Sequence, residues 1–85
     1  MSPAPSRRHQ DYSRNLSYSI LKIIEKSPCK MYIAPFDVRL PIPSAKKDTT
    51  VVQPDICIIC DISKLDDYGC NGAPDLIVEI LSPGN

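Results

Sequence analysis

Apolar side chains recur early in the chain at Tyr12, Leu16, Ile20, Ile23 and Ile24, in steps of four, four, three and one. This is the spacing of one face of an α-helix, and it predicts a helix from about Ser6 to Lys26 with Tyr12, Leu16 and Ile20 in the core. Ser6, after Pro5, is the expected N-cap, while Asp11 offers a start for a shorter helix. Ser27-Pro28 supplies the stop, because a proline ring disfavours the helical region for the residue before it.

The period then changes. Cys29 to Leu40 reads as extended, with Met31, Ile33, Val38 and Leu40 buried, Pro35 marking a bend or an edge, and Pro41-Ile-Pro43 ending the segment. Ser44 to Thr50 is polar and aperiodic, as a solvated hairpin connection would be, and Lys46 and Lys47 read as loop charges. The β-branched run from Val51 to Cys60 predicts one strand. Asp61 to Ala73, with Asp66-Asp67, Gly69 and Asn71-Gly72, predicts a surface loop. Leu76 to Leu81 is a short apolar strand, with Leu76, Val78 and Ile80 turned inward and Ser82-Pro-Gly as its end. A helix followed by strands, without internal repeats, is the pattern of one α/β domain over residues 1–85.

Composition narrows the function classes. A domain of 85 residues buries roughly 60–65% of the surface its unfolded chain exposes, so the expected core is small. Ten basic and ten acidic side chains cancel without forming blocks. That excludes the electrostatic footprint of a non-specific DNA binder and leaves local geometry, or residues outside the chain, to make any nucleic-acid contact. There is no apolar leader, and no apolar run approaches the ~18 residues of a membrane span, so a cytoplasmic protein without membrane contact is expected. In that compartment Cys29, Cys57, Cys60 and Cys70 are expected as free, reduced thiols. Cys57 and Cys60 have the gap of a zinc knuckle, but side chains three apart on a strand point to opposite faces, so no zinc site is expected.

The chemistry-bearing residues are carboxylates. Glu79 is the only charge in an apolar strand, where an ionised group is costly to desolvate unless paired, and it shares a face with Asp75, Ile77 and Leu81. Asp55 follows Pro54, which cannot donate a ladder hydrogen bond, and so belongs near a bulge or a frayed edge. Adjacent strands could set Asp55 beside Glu79, giving the few hard oxygen ligands that Mg²⁺ takes. The alternative is that Glu79 pairs with Arg39, Arg14 or a lysine while Asp55 caps a bulge, and spacing leaves both open.

Three blocks in order, Ala34-Pro-Phe-Asp-Val-Arg-Leu40, Val51-Val-Gln-Pro-Asp-Ile56 and Gly72-Ala-Pro-Asp-Leu-Ile-Val-Glu-Ile-Leu-Ser-Pro83, resemble the Uma-two family of bacterial endonucleases, within the PD-(D/E)XK restriction endonuclease-like superfamily. The resemblance runs from His9 to Asn85 and corresponds to the N-terminal part of the family's domain. It implies an incomplete restriction endonuclease-like core, an N-terminal helix followed by a mixed or antiparallel sheet, and a Mg²⁺ site that hydrolyses a DNA phosphodiester. Carried over, Asp55 stands at the first acid and Glu79 at the second, as metal ligands; Asp75 also follows a proline but lies too close to Glu79 and is an auxiliary candidate. His9 would border the site on the helix and steer the attacking water, with Gln10 beside it; the plainer role is a helix-terminal residue with a satisfied hydrogen bond. The superfamily's lysine position, two residues after the second acid, holds Leu81, and the family's lysine is expected on a helix starting near Ser82. The 85-residue chain is therefore expected to be inactive alone, since losing one such contact costs a factor of about 10²–10³ in rate. The rival expectation is a non-catalytic module that associates through an exposed sheet edge.

Overall fold

The computed structural model describes residues 6–41 and 49–81. Lys46, Lys47 and the Ser82-Pro-Gly stop lie outside them. Helix α1 spans Arg7–Ile24. Ser6, and not Asp11, is its cap: the Ser6 hydroxyl accepts from the His9 amide at 3.1 Å. Asp11 instead pairs with Arg14 one turn on, at 3.2 Å. The helix closes at Ser27, whose amide and hydroxyl both donate to the Ile24 carbonyl, at 2.9 and 2.7 Å.

The covered face of α1 is rotated from the apolar stripe. Ser17 is buried, His9, Ser13, Ile20 and Ile24 are half-buried, and Tyr12, Leu16 and Ile23 are exposed. Tyr12 and Leu16 are thus not core. The helix makes its main contact with β1 (Lys30–Ile33), and of the apolar stripe Ile20 and Ile24 are the part that is half-buried.

Six further strands follow: β2 (Val38–Pro41), β3 (Thr49–Val52), β4 (Ile56–Ile59), β5 (Leu65–Asp66), β6 (Gly69–Asn71) and β7 (Leu76–Val78). They form an antiparallel sheet in the order β1-β4-β7 and a mixed sheet in the order β3-β2-β6-β5, with β2 and β6 parallel. The result is an α/β fold, one helix followed by antiparallel and mixed sheets, consistent with an incomplete restriction endonuclease-like core.

Each long extended segment serves both sheets. Residues 29–40 break between Ile33 and Val38, where the Ala34–Pro35 peptide is cis. Residues 51–60 are two strands and not one, interrupted by Gln53-Pro54-Asp55. Proline removes the amide that would have continued each ladder. The expected loop from Asp61 to Ala73 contains a 3-10 turn (Ile62–Lys64) and the β5–β6 hairpin, strands too short to show a period. Gly69 enables that hairpin: at φ +137° its backbone passes so near Asp37 that a Cβ would lie 2.1 Å from the carbonyl oxygen. The next amide, Cys70, donates to that oxygen at 2.9 Å.

All four residues of β4 are buried. Cys57 and Ile59 join Val38 and Cys70 between the sheets, with Tyr32, Phe36, Leu40, Val52 and Leu65 packed around them. Ile56 and Ile58 occupy the opposite face by alternation, toward α1. Among the described residues strand β7 has β4 as its one neighbour, and Leu76, Ile77 and Leu81 are exposed, contrary to a buried strand, while Val78 and Ile80 are half-buried. Ile33, also expected inside, is exposed. The cysteine expectation fails for two of four: Cys29 and Cys60 form a disulfide, while Cys57 and Cys70 are free and buried. The register Lys30↔Ile59, carried one step outward, sets Cys29 opposite Cys60, a pairing across 31 residues that local spacing does not reveal.

Candidate functional site

Asp55 occupies the bend between the buried Pro54 and β4. Its carbonyl accepts from the Ala34 amide at 3.0 Å, which fixes the bend to the end of β1. Its Oδ2 accepts from the Ile80 amide at 2.7 Å, and its Oδ1 stands 3.3 Å from His9 Nε2. One carboxylate thus gathers the first turn of α1, the start of β4 and the chain just after β7. Both side chains are largely covered, His9 at 16% and Asp55 at 21% exposure.

The β4–β7 register ends with Ile56 paired to Val78, and Asp55 and Glu79 are the next residues beyond it on the two segments. Two acids that the sequence separates by 24 positions thus flank the same end of the β4–β7 ladder. Glu79 is exposed, and among the described residues no cation stands within ion-pair distance of it. Of the partners considered for it, Arg39 is engaged by Asp66 and Arg14 by Asp11. Asp55 does act as a local cap, through Ile80, but two oxygens carry more lone pairs than these donors use.

Asp75 lies at the other end of β7, about 13 Å from Glu79 at the rise of a strand. Its amide donates to the Ile58 carbonyl at 2.9 Å and its Oδ2 accepts from the Cys60 amide at 2.6 Å, so it closes the far end of β4 beside the disulfide. It does not join Asp55. His9 does, because the Ser6 cap fixes the first turn. Gln10 lines a cavity of about 600 Å³ that opens alongside.

Two features of the site had no signal in the residues: the Ile80 amide, a backbone group, and Ser17, a polar residue on the covered face of α1. Among the described residues no cluster of three or more His, Cys, Asp and Glu side chains converges on a point that could hold a metal. Two carboxylates are nevertheless a donor set that Mg²⁺ accepts, since it keeps several waters and takes one or two carboxylates with substrate phosphate. No described helix is long and apolar enough to cross a membrane.

A family model, Uma2, described as "Putative restriction endonuclease", matches residues 1–85. Comparison with curated proteins gave no match.

Proposed function

We propose, from the premise that this chain belongs to the Uma2 family of restriction endonuclease-like proteins, that it carries the acidic part of a Mg²⁺-dependent site for hydrolysing a DNA phosphodiester. The observation that supports the reading is the register across β4 and β7, beyond whose last pair, Ile56 and Val78, Asp55 and Glu79 are the next residues. Mg²⁺ held by these two carboxylates would supply Lewis-acid stabilisation of the phosphate and a lowered pKa for the attacking water. Asp55 is the pre-organised ligand, oriented by the Ile80 amide and by His9, so that it does not have to be ordered when the ion arrives. Glu79, exposed just after β7, is the ligand open to solvent and substrate. His9, 3.3 Å from Asp55 Oδ1, positions that carboxylate and, when neutral, has a ring nitrogen able to take a proton from water.

A positive partner for the developing charge is not at the superfamily's position, where Leu81 stands 87% exposed, and Ser82-Pro-Gly-Asn85 holds no cation. On this reading the 85-residue chain binds the ion but does not cut DNA alone. Plasmid nicking and calorimetric Mn²⁺ binding test it together. Expected are Mn²⁺ binding that Glu79→Ala abolishes, no nicking by residues 1–85, and nicking restored by joining a lysine-bearing helix after Asn85. Mn²⁺ binding unchanged in Glu79→Ala would sink the reading.

A second reading, an interaction module, is favoured by β7, where Leu76, Ile77 and Leu81 are exposed and one side of the strand is unpaired among the described residues. A chain that sediments as a monomer at millimolar concentration excludes self-association through this edge.

A further inference from the structure

The cancelling charges of the chain are unevenly placed. Residues 1–30 hold six lysines and arginines against two acids, and residues 31–85 hold four against eight, so the α1 end is positive and the chain after it negative. Arg7, Arg8, Arg14, Lys22, Lys26 and Lys30, the cations of this end, are all exposed. At about 100° per residue, Arg8, Asn15, Ser19 and Lys22 lie within about 40° of the line opposite the buried Ser17, and Lys26 continues that line in the turn after the helix. The outward ridge of α1 is thus made of cations and uncharged hydrogen-bond donors, all of them exposed. The two acids, Asp11 and Glu25, stand on a flank of the helix; Asp11 holds Arg14 at 3.2 Å in a surface pair of little worth that a phosphate can displace.

This ridge suits an extended anion, since Arg8 and Lys22 are about 21 Å apart along the axis at the rise of an α-helix. Its front end adjoins the carboxylate site: Arg8 precedes His9, whose Nε2 stands 3.3 Å from Asp55. We infer that this face of α1 is a phosphate track for DNA. Arg8, Lys22 and Lys26 pair with backbone phosphates beyond the one held at Asp55 and Glu79, and Asn15 and Ser19 donate to phosphate oxygens between them. The inference rests on the nuclease reading and supplies the cationic contact that two carboxylates, which repel phosphate, cannot. Backbone contacts position a duplex without reading its bases, so the track holds DNA without choosing its sequence. Exposed Tyr12, Leu16 and Ile23 also give the helix an apolar flank. A helix lying in a bilayer surface leads with its apolar face, whereas this one leads with Arg8, Asn15 and Ser19, which favours DNA over a membrane as the partner.

Fluorescence anisotropy of a short labelled duplex, titrated with the 85-residue chain at several salt concentrations and without divalent ions, tests the track. Expected is binding that weakens with salt. Arg8→Ala, Lys22→Ala and Lys26→Ala should each weaken it about threefold to tenfold and flatten the slope of log affinity against log salt by about 0.9. These side chains are exposed, so the variants keep the fold, which circular dichroism verifies. Glu25→Lys should tighten binding by adding a cation beside the track. No binding at low salt, or affinity and slope unchanged in the variant lacking all three cations, overturns the inference. Equal binding to polyglutamate would assign the face to acidic peptides, and binding to phosphatidylserine vesicles in place of DNA would assign it to a membrane; either also overturns it. The nuclease reading fails separately: DNA binding through these cations in a chain whose Mn²⁺ binding ignores Glu79→Ala keeps the track and removes that reading. Mn²⁺ bound through Glu79, with DNA affinity indifferent to the cations, does the reverse.

Discussion

At the level of single residues, Asp55 and Glu79 differ in what each contributes to stability, whatever their part in the proposed site. The Asp55 side chain is partly buried and accepts from Ile80. Asp55→Ala should therefore leave that amide without its acceptor and cost about 1–3 kcal/mol in urea denaturation. Glu79 is exposed, and Glu79→Ala should stay within about 0.5 kcal/mol of the parent chain. Glu79 is accordingly the cleaner probe of function. Asp66 shows how pH enters. The Arg39 guanidinium and then the Tyr68 amide donate to its carboxylate and hold its pKa below the ordinary value. A depressed carboxylate contributes stability that is present above the unfolded pKa, about 3.9, and lost as pH falls through the lower folded value. Stability measured against pH should fall along an acid limb below about pH 4 that is shallower in Asp66→Asn. A coincident limb in both proteins would assign the acid sensitivity elsewhere.

Among the secondary-structure elements, the far end of the three-stranded sheet is the most tightly pinned. The Cys29–Cys60 bond joins β1 to β4, and Asp75 ties β4 to β7 through two backbone contacts. A crosslink over 31 residues removes chain entropy from the unfolded state worth about 3–4 kcal/mol. Adding a reductant should lower the denaturation midpoint by a corresponding amount. Thiol counting makes the pairing checkable: unreduced, unfolded protein should expose two thiols, and reduced protein four. Four before reduction would contradict the disulfide. In the folded chain Cys57 and Cys70 should react slowly, because burial pushes both thiols up, Cys57 further so by the nearby Cys70. The bends at Pro35 and near Pro54 were readable from the missing amides of proline. That each bend transfers the chain from one sheet to the other was not, because nothing local states which strand waits on the far side.

For the molecule as a whole, stability rests on a narrow core in which β4 is packed on both faces. A chain of 85 residues is expected to hold only about 4–13 kcal/mol in total. Ile59, fully buried between the sheets, should cost about 2–5 kcal/mol when cut to alanine. Circular dichroism on heating should show Ile59→Ala melting well below the parent, and combined with reduction it should leave little folded protein at room temperature. Local chemistry in the chain settled the helix and its Ser6 cap and the extended character of the later segments. Those features follow from backbone sterics and side-chain spacing, which act over a few residues. Long-range pairing decided the rest: the approach of His9 to Asp55, the Cys29–Cys60 bond, and the face of α1 that is covered. Each depends on register between strands distant in the chain and on what packs over them, and apolar periodicity records that a face wants cover without recording whether any element arrives to provide it.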